Sequence, residues 1–340
     1  MVNDFEKKPV FIIAEIAQAH DGSLGILHSL IEASAKLGVD AVKFQVHIAN
    51  AESTKHEPFR INFSYEDKTR FDYWKRMELS SSQWLQIKEK CNNLGVEFIA
   101  TPFSSEAIDL LESLNVGKYK IGSGDLNNLL LIDRVIKTGK EVFISTGMAN
   151  EDEIKFIVNR IKNSGNKLTL FQCTSKYPTN ADEVNLEVIN DFKQKFNCPI
   201  GLSDHSGEIY AALGAVALGA DAVEVHVTFS KEMFGPDSKS SLNFDQLENL
   251  IKGIRFLEKA RYGNLKTKAN KDFEKLKQTF GRSLYLKRSL KKNEYISAED
   301  LEAKKPADLG VNSSEYEKFL GKKALKNLSK GILLRIEDFL

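Results

Sequence analysis

The sequence predicts a (β/α)8 TIM barrel followed by a small β-rich module. Eight short apolar runs of strand type alternate with helical segments between Val10 and Tyr262. A polar or charged side chain stands at the end of nearly every run, and the composition becomes basic and polar after Tyr262. Parallel strands need crossover segments between them, and 340 residues suffice for one large barrel and a small domain.

The predicted strands follow one another with a helix after each. They cover residues 11–13, 41–46, 97–100, 119–121, 142–144, 168–172, 200–202 and 222–227. A doubly wound sheet is the alternative, and it would place a glycine-rich phosphate fingerprint after the first strand. Residues 14–22 do not form such a fingerprint, which favours the barrel.

Histidines stand at the ends of the last two strands. His205 follows the seventh run, His226 lies near the end of the eighth, and an apolar segment with the helix period, residues 210–220, separates them. In a parallel barrel these strand ends face one mouth, where such folds place their active sites. Either histidine alone could be an ordinary core or cap residue, but two neutral imidazoles that converge there predict a divalent-metal site.

Two lysines stand inside apolar strand-type runs. Lys43 is flanked by Val42 and Phe44, and Lys120 is flanked by apolar residues in the same way. Because successive side chains of a strand point to opposite faces, both lysines are predicted to face the barrel lumen. A buried ammonium without a partner is costly, so we expect an anion to meet them.

Short hydroxyl residues beside glycines follow the fourth and fifth strands. Ser123 lies between Gly122 and Gly124, and Ser145 precedes Gly147 by two positions. Hydroxyl groups and exposed backbone amides bind oxyanions. Together with the lysines, they predict a cradle for phosphate and carboxylate groups.

One connection is unusually long. More than thirty residues, rich in Phe, Tyr, Arg and Asp, separate the second strand from a helix predicted to begin near Ser81. Connections of this length are usually functional or disordered, and the aromatic content of residues 47–76 favours an ordered lid over the mouth. A second irregular segment, residues 230–239, is predicted to lie on the same rim.

Composition and charge narrow the class of protein. The formal net charge is +1, so no overall field favours nucleic acid or an anionic membrane. No apolar run reaches about 18 residues and residues 1–8 are polar, so we expect a cytoplasmic protein without a signal peptide. The three cysteines, Cys91, Cys173 and Cys198, are odd in number and unpatterned, and they are predicted to be small buried apolar residues in a reducing compartment.

The predicted domains are a barrel, a linker and a tail. The barrel covers residues 1–262, a basic and polar linker covers 263–275, and the β-rich module covers 276–340. The charge runs of this module, which include Lys304 and Lys305, are most simply interpreted as solvated surface. A cationic module could also supply a positive charge to the substrate.

The tail also contains a weak internal repeat. Residues 290–301 resemble residues 328–339, with Asn293 and Gly331 at equivalent turn positions. Both residue types tolerate positive φ. We therefore expect a pseudo-symmetric module.

Eight ordered motifs resemble those of the sialic acid (N-acetylneuraminate) synthase family. They are Ala14-Glu15-Ile16 with His20-Asp21-Gly22, Val42-Lys43-Phe44-Gln45, Thr101-Pro102-Phe103, Lys120-Ile121-Gly122-Ser123-Gly124, Ser145-Thr146-Gly147-Met148, Gln172-Cys173-Thr174 with Tyr177-Pro178-Thr179, Gly201-Leu202-Ser203-Asp204-His205, and Gly235-Pro236-Asp237. The tail resembles the antifreeze-like SAF domain, of β-clip type, that this family carries.

The resemblance implies a synthase that condenses phosphoenolpyruvate with the open-chain form of an N-acylated amino sugar. The products are phosphate and a nine-carbon nonulosonic acid, an α-keto acid of the sialic acid type. The acceptor is N-acetylmannosamine or a related 2,4-diacetamido sugar, and the sequence leaves that choice open. The family also implies a divalent cation, Mn²⁺ with Mg²⁺ and Co²⁺ as alternatives, which His205 and His226 hold against the aldehyde as a Lewis acid.

The same resemblance implies roles for individual residues. Glu15 is expected to carry a proton or orient water, and it forms the catalytic set with His205 and His226. The residues expected to hold phosphoenolpyruvate are Lys43, Thr101, Lys120, Ser123, Ser145, Ser175 and Ser203. The residues expected to meet the sugar are Gln45, Tyr177, Asp237 and Lys305.

The chain departs from the family pattern at three positions, and residues 47–76 are also unlike the corresponding segment of the family members that make N-acetylneuraminate. Ala19 and Ser175 stand where the family usually has Asn. Lys305, before Pro306, stands where the family's tail brings an Arg into the mouth of the partner subunit, and Lys lacks the planar fork of Arg. By this resemblance the chain is expected to form a homodimer with exchanged tails.

Two other functions stay open at this stage. One is a phosphoenolpyruvate-condensing barrel that acts on a phosphorylated aldose, as 3-deoxy-ulosonate phosphate synthases do, although such enzymes lack the SAF tail. The other is a non-catalytic barrel that binds sugar.

Overall fold

The structure is a computed structural model that describes residues 8–262 and 273–340. The chain divides into two compact units, Met1–Tyr262 and Gly263–Leu340, and each is described by itself. Most of the predicted linker, residues 263–272, lies outside the described residues. Its last two positions belong to a helix, Glu274–Phe280.

The first unit is a closed barrel of parallel strands in sequential order, as predicted. The strands are β1 (Phe11–Glu15), β2 (Ala41–Val46), β3 (Glu97–Pro102), β4 (Lys118–Ile121), β5 (Glu141–Ser145), β6 (Leu168–Cys173), β7 (Ile200–Asp204) and β8 (Ala222–His226). β1 pairs with both β2 and β8, which closes the barrel. Several strands continue beyond the predicted apolar runs, so polar residues such as Glu15 and Asp204 lie inside the ladder.

Helices follow the strands on the outside of the barrel. They are α1 (Leu24–Leu37), α2 (Ala49–Glu52), α3 (Arg70–Met77), α4 (Ser81–Leu94), α5 (Ser105–Ser113), α6 (Leu129–Ile136), α7 (Glu151–Asn163), α8 (Val188–Lys195), α9 (Tyr210–Leu218) and α10 (Phe244–Tyr262). Local sequence sets many of their ends. Ser80 caps the N-terminus of α4 with its side chain, and Gly95 ends that helix at φ 72°.

Alternation along the strands divides the interior into an outer apolar core and a layered lumen. On β2, Val42, Phe44 and Val46 pack in the large core between strands and helices. A separate apolar cluster contains Ile13, Ala41, Ile99, Phe143, Phe171 and Ala222. Two positions later on the same strands come Glu15, Lys43, Thr101, Ser145, Cys173 and Glu224. The lumen is therefore closed by an apolar layer, and the next layer toward the mouth is polar.

Gly201 permits this packing at the start of β7. A Cβ atom at this position would lie 2.6 Å from the ring of Phe171. The close approach of backbone and ring explains why the second residue of β7 is a glycine.

The long connection after β2 is ordered and has its own small core. It contains α2 and α3, and Ala49, Tyr73, Trp74 and Met77 form a buried cluster against which Phe59, Phe63 and Phe71 pack. Residues 47–76 are called the lid below. The aromatic residues that predicted an ordered lid are the ones that bury its interior.

The second unit contains α11 (Glu274–Phe280) and a two-stranded antiparallel sheet of β9 (Ser283–Leu286) and β10 (Leu301–Lys304). Its core comprises Leu284, Leu286, Leu290, Ile296, Val311, Phe319, Ala324, Leu328, Leu334 and Phe339. Much of the rest is single β-bridges and short 3-10 turns, so regular strand content is lower than "β-rich" suggests.

The predicted pseudo-symmetry of the tail is confirmed in its backbone. Asn293 and Gly331 have φ values of 70° and 82°. Leu290 and Leu328, at equivalent positions of the two repeats, form a β-bridge with each other. The repeats therefore pair directly across the module.

Among residues 8–262 and 273–340, no helix is long and apolar enough to cross a membrane.

Candidate active site

A cavity of about 440 Å³ opens at the carboxyl ends of the barrel strands. All of the barrel residues predicted for the site line it: Glu15, Lys43, Gln45, Thr101, Lys120, Ser123, Ser145, Ser175, Tyr177, Ser203, His205, His226 and Asp237. They come from all eight strands or the loops that follow them, so only closure of the barrel brings them together. The lid contributes further wall residues, including Arg60 and Trp74.

The floor of the cavity is a buried quartet of charges. Lys120 Nζ donates to both carboxylate oxygens of Glu224, at 2.8 and 2.9 Å, and Ser203 Oγ donates to Glu224 Oε1 at 3.0 Å. Lys43 Nζ lies 2.8 Å from Glu15 Oε2 and 3.6 Å from Glu224 Oε1. The predicted anionic partners of the two lysines are therefore present, and they are carboxylates of the protein itself, Glu15 and Glu224.

The carboxylates and lysines shift one another's pKa values. Burial raises the pKa of Glu224, but the charges of Lys120 and Lys43 outweigh burial and lower that pKa to about 2. Burial lowers the pKa of Lys43, but Glu15 and Glu224 outweigh it and raise the value. Glu224 and Lys43 are therefore held in their charged forms at neutral pH. Burial instead lowers the pKa of Lys120, and the charge of Glu224 opposes this shift.

A group of hydroxyls lies beside this quartet. The Gly147 amide donates to Ser123 Oγ at 2.9 Å, and Lys43 Nζ donates to Thr101 Oγ1 at 3.3 Å. A Cβ atom at Gly147 would lie 2.4 Å from Ser175 Oγ, so only glycine lets these hydroxyls crowd together. Ser145 Oγ is buried, and none of the described residues forms a hydrogen bond with it. An unsatisfied hydroxyl among such donors suits a phosphate or carboxylate oxygen.

The two predicted metal ligands face each other across the mouth. The ring centroids of His205 and His226 lie 5.2 Å apart. Burial lowers the pKa of both imidazoles, which keeps them neutral and able to bind a metal. His205 Nδ1 lies 2.8 Å from the carbonyl oxygen of Thr174, which can only accept, so Nδ1 carries the proton. His205 Nε2 therefore presents a lone pair, and it accepts from the Tyr177 hydroxyl at 3.1 Å.

His226 has an orphaned nitrogen. Its Nδ1 is buried, lies 4.0 Å from Asp237 Oδ2 and has no hydrogen-bond partner within the part of the chain that the structure describes. Such an orphan is costly unless a ligand meets it, so the pair of imidazoles fits a divalent cation. In the described ranges no group of three or more His, Cys, Asp or Glu side chains forms a complete metal site. A cation at this place would therefore take its protein ligands mainly from the two imidazoles.

Tyr177 and Asp237 form the outer wall on this side. The Tyr177 ring stacks on His205 with centroids 4.0 Å apart, and burial raises the Tyr177 pKa well above its usual value, so the phenol stays protonated. Arg60 of the lid donates to Asp237 Oδ1 at 2.7 Å, and its guanidinium lies 3.9 Å from the Tyr177 ring centroid. Phe63 of the lid also contacts Phe234 of the segment after β8, with centroids 5.4 Å apart. The lid and the second irregular segment thus form one rim, as predicted.

Three residues that line the cavity, Glu224, Arg60 and His47, had no predicted role. Glu224 stands two positions before His226 on β8, so strand alternation could have indicated that both face the lumen. Arg60 and His47 lie in the long connection, where no period exists to show which side chains point inward. Only the folded lid reveals them.

Two other sequence predictions have different outcomes. Lys305 is exposed in the second unit, where its ammonium lies 5.1 Å from the Phe280 ring centroid, and its role in sugar binding stays a prediction.

The cysteines are free, and Cys91 is a buried core residue as predicted. Cys173 is also buried but lines the cavity, 3.9 Å from His205 Nδ1, and Cys198 is partly exposed. The prediction of small buried apolar residues is therefore wrong for Cys198 and incomplete for Cys173.

Sequence comparison relates both units of the chain to known protein families. The sequence profile of the NeuB family matches residues 30–266, and that of the SAF domain matches residues 281–340. The chain is 38% identical over 337 residues to an N,N'-diacetyllegionaminic acid synthase of Campylobacter jejuni, with 96% of this chain and 99% of the relative covered. It is 35% identical over 337 residues to a pseudaminic acid synthase of the same species, with 98% and 97% covered.

A solved structure of a related enzyme has a similar fold. The N-acetylneuraminic acid (sialic acid) synthetase of Leptospira borgpetersenii, determined in complex with citrate, superposes with a TM-score of 0.71 at 30% identity. The match covers 79% of this chain and 90% of that protein.

Proposed function

The chain belongs to the NeuB family, and from this premise we propose that it condenses phosphoenolpyruvate with the open-chain form of an N-acylated amino sugar. It is a synthase of the nonulosonic acid type. The enol carbon forms a bond to the aldehyde carbon, water adds at the neighbouring carbon, and phosphate leaves. The products are a nine-carbon α-keto acid and inorganic phosphate. The observation that carries the proposal is the single cavity in which ammonium groups, hydroxyls and two neutral imidazoles converge.

Phosphoenolpyruvate would occupy the hydroxyl side of the cavity. Ser123, Ser145 and Ser175 offer hydroxyl donors to its oxygens. Lys120 and Lys43 supply positive charge nearby, while Glu224 holds both ammonium groups in place. Fixing the phosphate and carboxylate aims the enol carbon at the opposite wall, which converts an encounter in solution into a reaction between positioned groups.

The aldehyde would occupy the imidazole side. His205 and His226 would hold a divalent cation, Mn²⁺ by family resemblance, which supplies Lewis-acid neutralisation of negative charge on the aldehyde oxygen. Tyr177 and Asp237 would orient the sugar, and Gln45 would meet it from β2. Glu15 carries the role of proton carrier or water orienter, and it is held by Lys43 at 2.8 Å and by the amide of Gln45, also at 2.8 Å.

For the acceptor we propose a 2,4-diacetamido sugar in preference to N-acetylmannosamine. The relatives named for diacetyllegionaminic and pseudaminic acid support this choice. The lid side chains Phe59, Phe63 and Trp74 also line the cavity, and they offer apolar surface on which an additional acetyl methyl group could pack.

The test is an acceptor panel with phosphoenolpyruvate, read by phosphate release and by the mass of the product. We expect turnover of unphosphorylated N-acylated hexosamines, with the highest kcat/KM for a 2,4-diacetamido sugar. Highest kcat/KM for N-acetylmannosamine would contradict only the choice of acceptor. Turnover confined to phosphorylated aldoses would instead favour a 3-deoxy-ulosonate phosphate synthase, and the absence of any turnover would favour a sugar-binding barrel.

We also propose that the enzyme works in the cytoplasm as a homodimer with exchanged tails. Three unpatterned cysteines, free in the described structure, support a reducing compartment. The SAF domain that follows the barrel supports the dimer through the family resemblance.

A further inference from the structure

Five side chains form a hydrogen-bonded chain from the lid to Glu15. His47 Nδ1 lies 2.7 Å from Glu52 Oε1, and His47 Nε2 lies 3.1 Å from Gln18 Nε2. Gln18 Nε2 also donates to Gln45 Oε1 at 2.5 Å, and Gln45 Nε2 donates to Glu15 Oε1 at 2.8 Å. The chain therefore links a short helix of the lid to a carboxylate on the floor of the cavity.

The donors and acceptors of this chain have one consistent direction. The amide nitrogen of Gln18 can only donate, so His47 Nε2 presents a lone pair to it, and His47 Nδ1 carries the proton that Glu52 accepts. That lone pair accepts one N–H of the Gln18 amide, and the other N–H of the same group goes to Gln45. Gln45 must then turn its oxygen toward Gln18 and its N–H toward Glu15. Each group thus fixes the orientation of the next.

The His47 imidazole lies in a slot between two aromatic rings, which an apolar ring could also fill. Its ring lies between those of Trp74 and Phe103, with centroids 4.0 and 4.6 Å away and interplanar angles of 13° and 8°. The residue is 5% exposed. A polar ring in an aromatic slot costs free energy unless its nitrogens are satisfied, so the two hydrogen bonds explain why the slot holds a histidine.

We propose that His47 is a positioning residue that locks the orientation of the Gln18 and Gln45 amides and thereby presents an N–H donor to Glu15. The inference rests on the proposed function, in which Glu15 acts at the reacting centre. Without the acceptor at His47 Nε2, the Gln18 amide can turn and present its oxygen to Gln45 Oε1. Gln45 must then turn as well, and its oxygen would face the Glu15 carboxylate. The carboxylate would lose a donor and gain a repulsive neighbour.

The central variant is His47→Phe, which keeps a ring between Trp74 and Phe103 but removes both hydrogen bonds. We expect an unchanged Tm, a fall in kcat of about 10- to 100-fold and a sugar KM within about threefold of wild type. His47→Gln, whose side-chain oxygen can accept from Gln18, should recover part of the loss. His56→Phe, which alters an exposed histidine of the same lid, is the matched control and should leave kcat unchanged.

A double-mutant cycle separates positioning from simple packing. If His47 acts through Gln18, then Gln18→Leu should reduce kcat to a similar extent, and the double variant should be no worse than either single one. Losses that multiply would overturn the inference, as would unchanged kcat in His47→Phe. A raised sugar KM at normal kcat would also overturn it, because His47 would then contact the sugar directly.

Failure of the proposed function would look different. No condensation by the wild-type enzyme on the acceptor panel would contradict the synthase proposal itself. Unchanged single-turnover kinetics in Glu15→Gln would contradict the role of Glu15. A large loss in Glu15→Gln together with wild-type kinetics in His47→Phe would overturn only the positioning role of His47.

Discussion

Arg60 and Asp237 join the lid to the rim after β8 although they are 177 positions apart in the chain. Arg60 Nη2 lies 2.7 Å from Asp237 Oδ1 and 3.3 Å from the carbonyl oxygen of Pro236. The guanidinium also covers the ring of Tyr177. A planar cation thus lies beside two of the residues proposed to meet the sugar.

Replacing Arg60 should weaken acceptor binding selectively. We expect Arg60→Met to raise the sugar KM by about tenfold and the phosphoenolpyruvate KM by less than about twofold, because the guanidinium lies on the sugar side of the cavity. Arg134→Met, which removes an exposed arginine paired with Asp109 on outer helices, is the control. Steady-state kinetics with each substrate varied in turn measures the difference, and equal changes in the two KM values would contradict this placement.

The imidazoles should be required for metal binding but not for folding. We expect His205→Ala and His226→Ala each to weaken Mn²⁺ binding, measured by calorimetry on the purified protein, and to abolish metal-dependent condensation. Circular dichroism and Tm should stay near wild type, because both rings lie at the mouth and outside the apolar clusters. Wild-type Mn²⁺ affinity in the double variant would remove the proposed metal site.

The charge quartet predicts a non-additive effect on stability. Lys120→Met removes an ammonium partner from the buried Glu224 carboxylate, so we expect a loss of about 3–5 kcal/mol in the free energy of unfolding. Adding Glu224→Gln removes the uncompensated charge and should restore much of this loss, while condensation stays impaired in both proteins. Urea denaturation measures the stabilities, and strictly additive losses would show that the two side chains do not act as a pair.

His20 should make the fold sensitive to acid. Burial, then the neighbouring His47 and Arg76, lowers its pKa from 6.5 to about 4, and its Nδ1 accepts from the Gly22 amide at 3.1 Å. Between these two pH values the unfolded chain binds more protons at this site than the folded one. Stability is therefore lost as pH falls from 6.5 toward 4, by up to about 3 kcal/mol.

The variant His20→Asn tests this linkage, because it can keep an acceptor for Gly22 without titrating. Its free energy of unfolding should fall less between pH 7 and pH 4 than that of wild type. His56→Gln, at an exposed position, should retain the wild-type dependence. An identical pH dependence in His20→Asn and wild type would contradict the assignment.

The tail prediction concerns Lys305. If the tail of one subunit reaches the mouth of its partner, Lys305→Ala should raise the sugar KM more than the phosphoenolpyruvate KM, and light scattering should report a dimer. Lys304→Ala is the matched control on the adjacent residue. A fully active monomer would remove the exchanged-tail proposal.

Much of this molecule was determined by local sequence. Alternation around Lys43 and Lys120 placed both ammonium groups in the lumen, and the apolar runs before His205 and His226 placed both imidazoles at the mouth. These predictions succeeded because a strand has a period of two and parallel strand ends share one face. Asn293 and Gly331 were predictable for a similar reason, since residue type limits the allowed φ values.

Tertiary structure decided which groups meet. Lys120 pairs with Glu224 across 104 positions of sequence, and Gln18, His47 and Gln45 form their chain only once the lid packs on the barrel. Because the lid sequence has no repeating hydrophobic pattern, it does not show which of its side chains point inward. Local rules set the direction of a side chain, whereas a partner distant in sequence is fixed only when the closed barrel and packed lid bring both groups within hydrogen-bonding distance.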